Sequence, residues 1–304
     1  MAIEDGDDKS SVMANCTFKN LSEIPTFLPA DSVMTLDLSN NRLKALHNES
    51  FTMYVNLMTI IISYNEIKYV KLETFSRLYH LTEVDLSYNE LEYIPPDTFS
   101  NNLKLHTVSL AGNPLVTFPM DSPALISPSL TSLDLRSCSL MSVHEDAFSS
   151  LPKLAYLDLM SNHMQVIPRK SLEVLEGLRV VELRNNRWQC SCEMREVMQW
   201  TSSLRPLQYP QRPIKCFEKG EYKTLWSLGK KDGGCNVMPP DMVELVDSDG
   251  MVFHLRRMKS SPVLAFMILP CVLSACVLLA LFSVRCMDRR RAEDKLPLYK
   301  HIEG

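Results

Sequence analysis

The sequence predicts an α/β-type solenoid. Seven short coils stack so that one strand of each joins a parallel concave sheet, opposite an irregular convex side. A disulfide-closed C-terminal end and one transmembrane helix follow. Three observations predict this. Asn41, Asn65, Asn89, Asn113, Asn162 and Asn186 recur with Cys138 filling the one missing step, at intervals of 24, 24, 24, 25, 24 and 24 residues. Four cysteines, Cys190, Cys192, Cys216 and Cys235, follow the last copy. Residues 262–284, PVLAFMILPCVLSACVLLALFSV, carry no charge.

The interval repeats L-x-x-L-x-L-x-x-N, as in VMTLDLSNN, LTEVDLSYN, LTSLDLRSC and LRVVELRNN, and self-similarity at this period marks a solenoid. Phe51, Phe75, Phe99 and Phe148 follow ten residues after their asparagine or its replacement, with Leu172 once in that place. In the L-x-L portion side chains alternate, so the leucines face inward and the residues between them line the opposite face. Where the chain turns away from the strand, backbone donors and acceptors are left inside the stack, each costing about 1–3 kcal/mol if unpaired. An asparagine amide offers two donors and an acceptor, so these residues read as structural brackets rather than ligands. A thiol is a poor substitute, and Cys138 predicts a soft point. The pattern resembles the leucine-rich repeat family over residues 33–187. In the fourth copy TFPMDSPALISPSL has three prolines and, ten residues after Asn113, Pro123 where a phenylalanine is due, which predicts a convex bulge and an alternative contact site.

The run WQCSCEMREVMQW puts C-x-C before a short amphipathic helix (Met194, Val197, Met198), with two further cysteines downstream. Four thiols allow three disulfide pairings or a zinc site, and a solenoid's last coil needs covering. The run resembles the C-terminal cap of extracellular leucine-rich repeat proteins, which implies Cys190–Cys216 and Cys192–Cys235 and an oxidising compartment. At the other end CTFKNLSEIPTFLP resembles the last part of the family's N-terminal cap, with Cys16 its single cysteine. The polar stretch before it lacks an apolar core and does not read as a signal peptide; an alternative or truncated start is expected. Asn15, Asn20 and Asn48 head N-x-S/T sequons clustered at this end, the candidate glycosylation sites.

The uncharged stretch is long enough to span a bilayer of about 30 Å, with a kink at Pro270. More positive charge follows it than precedes it, which favours a cytoplasmic C-terminus; the cysteine cap independently places the repeats outside, at the plasma membrane. In the tail, Cys286 is a palmitoylation candidate, Tyr299 to Ile302 resembles a tyrosine-based sorting signal, and Arg289–Arg291 reads as a stop-transfer run. The organisation is a polar segment (1–13), a partial N-cap (14–32), seven repeats (33–187), a cysteine-rich C-cap (188–236), a juxtamembrane linker (237–260), a transmembrane helix (261–284) and a cytoplasmic tail (285–304).

Between the inward leucines, successive copies present Asp37, Ile61, Asp85, Ser109, Asp134, Asp158 and Glu182. Strands about 4.8 Å apart make Asp134, Asp158 and Glu182 a row of like charge, partly offset by Arg136 and Arg184. Tyr64, Tyr88, Tyr156 and Met160 add aromatic and apolar area near the same face. Aromatic residues beside charges suit a protein–protein contact, with a basic patch on the partner.

A net charge of −4 gives no sign of nucleic-acid binding. His144-Glu145-Asp146 has no H-E-x-x-H continuation, and no nucleotide-binding or nucleophile motif occurs. No enzyme, metal or cofactor is expected. Two functions fit: a single-pass cell-surface recognition protein binding another protein through its solenoid, or an auxiliary subunit of a membrane complex acting through its helix and basic juxtamembrane run. The overall layout resembles the gamma auxiliary subunits of calcium-activated potassium channels and equally several adhesion families.

Overall fold

The computed structural model describes residues 2–5, 12–26, 32–115, 123–204, 214–224, 242–246 and 252–256. These fall into two units, residues 1–240 and 241–304. In the first, the chain runs through β1 (Ala2–Asp5), β2 (Val12–Asn15), β3 (Val33–Asp37), β4 (Ala45–Leu46), β5 (Thr59–Ile61), β6 (Tyr69–Val70), β7 (Glu83–Asp85), β8 (Thr107–Ser109), β9 (Ser132–Asp134), β10 (Tyr156–Asp158), α1 (Arg169–Glu173), β11 (Val180–Glu182), α2 (Cys192–Ser203), β12 (Lys215–Glu218) and β13 (Glu221–Thr224).

The seven repeat strands lie side by side in chain order and in parallel register, with β2 beside the first and β1 antiparallel at the edge. Each repeat strand is short because only the L-x-L portion alternates. Leu36, Ile60, Val84, Val108, Leu133 and Leu157 are fully buried, while the residues on either side lie on the opposite, concave face, partly exposed except for buried Asp158. The edge strand β1 was not signalled by the repeat spacing or by the polar composition around it.

The asparagine brackets are buried and each spans two coils. Asn89 Nδ2 donates to Leu86 O at 2.9 Å in its own coil and to Ile62 O at 3.0 Å in the preceding one. Its Oδ1 accepts from Ile67 N at 3.1 Å. Asn65, Asn162 and Asn186 repeat this arrangement. Asn41 ties the first repeat to the cap coil through Cys16 O and Leu21 N, and Asn113 ties Leu86 O to Leu91 N.

The soft point expected at Cys138 takes a specific form. Its thiol donates to Leu110 O at 3.2 Å, so the donor side of the bracket survives. The acceptor side is lost: Leu115 N, which would meet an amide oxygen, bonds instead to Asn113 O within its own coil.

The residue before each bracket adopts a left-handed backbone: Asn40, Tyr64, Tyr88, Gly112, Ser137, Ser161 and Asn185 have φ between +53° and +70°. That conformation is uncommon for residues other than glycine. It turns the N–H of the first six onto a carbonyl of the next coil, at 2.6–3.0 Å, extending the ladder three residues past the strand.

On the convex side Phe51, Phe75 and Phe99 stack in file, with ring centroids 5.6 and 5.3 Å apart. The short β4 and β6 pair there. In the fourth repeat Pro123 stands where a ring is due, and buried Ala124 and Leu125 lie beside it. Ala124 N and Ile126 N bond to Ala147 O and Pro96 O of the flanking coils; of residues 117–130, where the bulge was expected, 117–122 lie outside the described residues.

At the C-terminal end Trp188, Met194, Val197 and Met198 are buried in the same core as the last leucines. Ser191 caps α2 by accepting from Met194 N. Cys190 and Cys216 form a disulfide that fastens the hairpin of β12 and β13, whose Lys219-Gly220 turn has positive φ at both residues. At the N-terminal end the buried Tyr54 hydroxyl donates to Pro25 O.

The second unit contributes an antiparallel hairpin, β14 (Met242–Val246) and β15 (Val252–Arg256), in the stretch read as a linker. No helix among the described residues is long and apolar enough to cross a membrane. The segment 261–284, Cys286, Tyr299 and Ile302 lie outside them.

Candidate partner-binding surface

The outward residues of the sheet are not equivalent. Asp37, Asp85, Asp134 and Asp158 each turn Oδ1 back to accept the N–H two residues on, from Ser39, Ser87, Arg136 and Met160 at 2.8–3.0 Å. In a coil those N–H groups point away from the sheet ladder, and a short carboxylate reaches them. An aspartate here is therefore half engaged as a local cap before any partner arrives.

The row Asp134, Asp158 and Glu182, read from sequence as a free acidic face, is also neutralised in place. Arg136 pairs with Asp134 at 2.7 Å and Arg184 with Glu182 at 2.7 Å. Asp158 is buried, and the Tyr156 hydroxyl donates to its Oδ2 at 3.3 Å. Burial pushes the Asp134 carboxyl above its usual range, against the opposing pull of Arg136. Burial, then the charge of Asp158, push Tyr156 up to about 12. Met160 is half-buried at the edge of this cluster.

The middle of the sheet is different. Tyr64 and Tyr88 stack face to face with centroids 4.5 Å apart, and they are 52% and 44% exposed. Gly112 makes the platform possible. A Cβ at that position would stand 2.6 Å from Tyr88 Cδ1, so only glycine lets the ring lie across the next coil. Beside the rings, Glu83 and Asp85 have no ion-pair partner among the described residues. Glu83, Asp85, Tyr88, Asp134, Arg136 and Tyr156 line an open depression of about 340 Å³. Ile61 stands one strand from Asp85, in register with it, and breaks the run of capping aspartates.

Glu83 and Gly112 were missed in sequence. Glu83 lies two residues before Asp85 on the same face, so strand alternation alone could have found it. Gly112 needed the fact that a tyrosine precedes it by one coil.

The other candidate residues are dispersed. Asn15 is on the concave face, whereas Asn20 and Asn48 are exposed in turns. Cys192 is also disulfide-bonded; its expected partner Cys235 lies outside the described residues. Cys16 and Cys138 are buried free thiols, and burial pushes Cys138 up to about 12. Glu145 and Asp146 are taken up by Lys170 and His144 at 2.8 and 3.7 Å. Among the described residues no group of three His, Cys, Asp or Glu is placed to hold a metal.

Residues 31–82, 55–115 and 128–187 match the family model for the leucine rich repeat. Over those stretches the coils match leucine-rich repeats. Stretches of the chain are similar to trophoblast glycoprotein of Macaca fascicularis (34% identical over 119 residues, 38% of this chain and 28% of that protein) and to mouse SLIT and NTRK-like protein 6 (28% over 109 residues, 35% and 13%). The chain thus spans less than a third of the length of either. The solved structure of human trophoblast glycoprotein (5T4) is 26% identical, covering 73% of this chain and 93% of that one, with a TM-score of 0.49. Leucine-rich repeat solenoids are typically binding scaffolds without catalysis.

Proposed function

We propose that this is a single-pass cell-surface protein that binds another protein on the concave face, at the platform of Tyr64 and Tyr88 and the acids Glu83 and Asp85. One observation carries the choice of place: this is where stacked aromatic area lies beside carboxylates without ion-pair partners, whereas Asp134 and Glu182 are already paired and Asp158 is buried under the Tyr156 hydroxyl. The partner presents a basic side chain, its charge against Glu83 and Asp85 and its stem or guanidinium plane over Tyr88. The rigid sheet loses little freedom on binding. The disulfide supports an oxidising exterior, and the relatives support protein recognition at cell surfaces. The segment 261–284 anchors the chain with the repeats outside.

The test is proximity labelling on cells displaying the full chain, followed by titration of each labelled surface protein. Truncating a central aromatic contact costs about 2 kcal/mol or more, some thirtyfold in affinity. Tyr88→Ala and Asp85→Asn should each remove the genuine partner, while Tyr79→Ala, exposed away from the concave sheet, should keep it. A partner retained by both concave variants and lost with Tyr79→Ala would place recognition elsewhere.

A further inference from the structure

The aspartate cap described above has one exception in chemistry. In β2 the residue in register with Asp37 is Asn15, on the same concave face. Its Oδ1 accepts from Thr17 N at 3.1 Å and from the Thr17 hydroxyl at 2.9 Å. Asp37 does the same with Ser39 N at 2.9 Å and the Ser39 hydroxyl at 2.7 Å. A carboxylate thus makes this cap as well as an amide does, and the cap does not explain the amide. What the amide adds is Nδ2, which has no hydrogen-bond partner among the described residues.

We propose that Asn15 is a glycan acceptor whose sugar stands on the concave face. Asn15-Cys16-Thr17 is an N-x-T sequon, and the Thr17 hydroxyl donates to the amide oxygen, polarising the amide whose nitrogen must react. The contact spans two residues, so it forms without the rest of the fold. The other two sequons lack it: the Ser50 hydroxyl accepts from His47 N rather than meeting Asn48, and Asn20, at φ +58°, makes no such closure with Ser22 among the described residues. In the transfer, Nδ2 attacks the anomeric carbon of a lipid-diphosphate-linked oligosaccharide. The carbon–oxygen bond to the diphosphate breaks, a carbon–nitrogen bond forms, the amide gives up one proton and lipid diphosphate leaves.

The placement has a consequence for recognition. Asn15, Asp37, Ile61 and Asp85 are in register on successive strands. At about 4.8 Å per strand, Ile61 lies only about 10 Å from the sugar's anchor. A branched glycan rooted there crowds the N-terminal edge of the sheet, so the partner reaches the Tyr64–Tyr88 platform from the C-terminal side.

The inference rests on the repeats being extracellular, and its test separates the two. The full chain, behind a cleavable secretion signal, is expressed in glycosylating cells, and occupancy of each sequon is read by peptide mass spectrometry after enzymatic deglycosylation in heavy-oxygen water. Asn15 should carry sugar. Asn15→Asp, which keeps the cap, should lose that one glycan with an unchanged thermal midpoint and unchanged occupancy at Asn20 and Asn48. Thr17→Ala should also lose it, and Thr17→Ser should retain it. Asn15 bare while Asn20 or Asn48 is occupied, or all three bare with Cys190–Cys216 intact, overturns the inference alone. All three bare with Cys190 and Cys216 reduced overturns the extracellular reading together with it.

Discussion

Replacing Asn89 and Cys138 in opposite directions tests the bracket account. Asn89→Ala removes four hydrogen bonds, yet the losses are unequal. Ile62 O still receives Asn65 Nδ2 and Leu86 O still receives Asn113 Nδ2. The group left with nothing is Ile67 N–H, whose acceptor is Asn89 Oδ1. One orphaned buried donor costs about 1–3 kcal/mol, and weakening the shared carbonyls adds to it at about 0.5–1.5 kcal/mol per bond, so a total near 3 kcal/mol is expected. Cys138→Asn runs the other way. It supplies Leu115 N–H with an acceptor and keeps a donor to Leu110 O, so a gain of about 1 kcal/mol is expected. Stability is measured by urea unfolding of the full chain followed by circular dichroism, with the slope checked because coils couple mainly to their neighbours. Hydrogen exchange gives the local reading: the Ile67 amide should exchange faster in Asn89→Ala, and the Leu115 amide slower in Cys138→Asn. The reasoning fails if Asn89→Ala costs less than 0.5 kcal/mol, roughly the scale of ordinary surface substitutions, or if Cys138→Asn leaves the Leu115 amide unchanged.

Phe75→Ala removes the fully buried ring between Phe51 and Phe99 and should cost about 3–5 kcal/mol by the same unfolding assay. Gly112→Ala should displace Tyr88, because the new methyl meets the ring at 2.6 Å in a left-handed backbone; a crystal structure should show the Tyr64–Tyr88 stack broken. Asp134 has a folded pKa above its unfolded one, so the folded state holds the proton longer and stability should fall as pH rises from the ordinary carboxylate range to the raised value. Asp134→Asn keeps an oxygen for the Arg136 N–H and should flatten that slope in a pH series of unfolding curves. Burial holds the Cys138 thiol protonated, up to about 12, so peptide mapping should find it alkylated only after the chain is unfolded.

The stacking of coils was legible in the chain because its cause is local and repeated. Every 24 or so residues the same alternation buries the same leucine and leaves the same N–H groups wanting a bracket, so period alone dictates a parallel sheet. The disulfide between Cys190 and Cys216 was legible through the family's cap rather than through spacing, since three pairings fit the same cysteines. The site was only half legible. Alternation put Asp85, Asp134, Asp158 and Glu182 on one face, but one-dimensional order cannot say which carboxylates meet a cation. Arg136 and Arg184 close on the acids two residues before them and silence that half of the row, while Glu83 and Asp85 stay unpaired. Likewise the sequence lists Tyr64, Tyr88 and Gly112 as unrelated letters. Only stacking at coil spacing makes the missing side chain of Gly112 the floor on which Tyr88, and against it Tyr64, can lie. A repeat fixes what each coil does for itself; what a side chain is free to do for a partner depends on its neighbours in the next coil, and those are set in three dimensions.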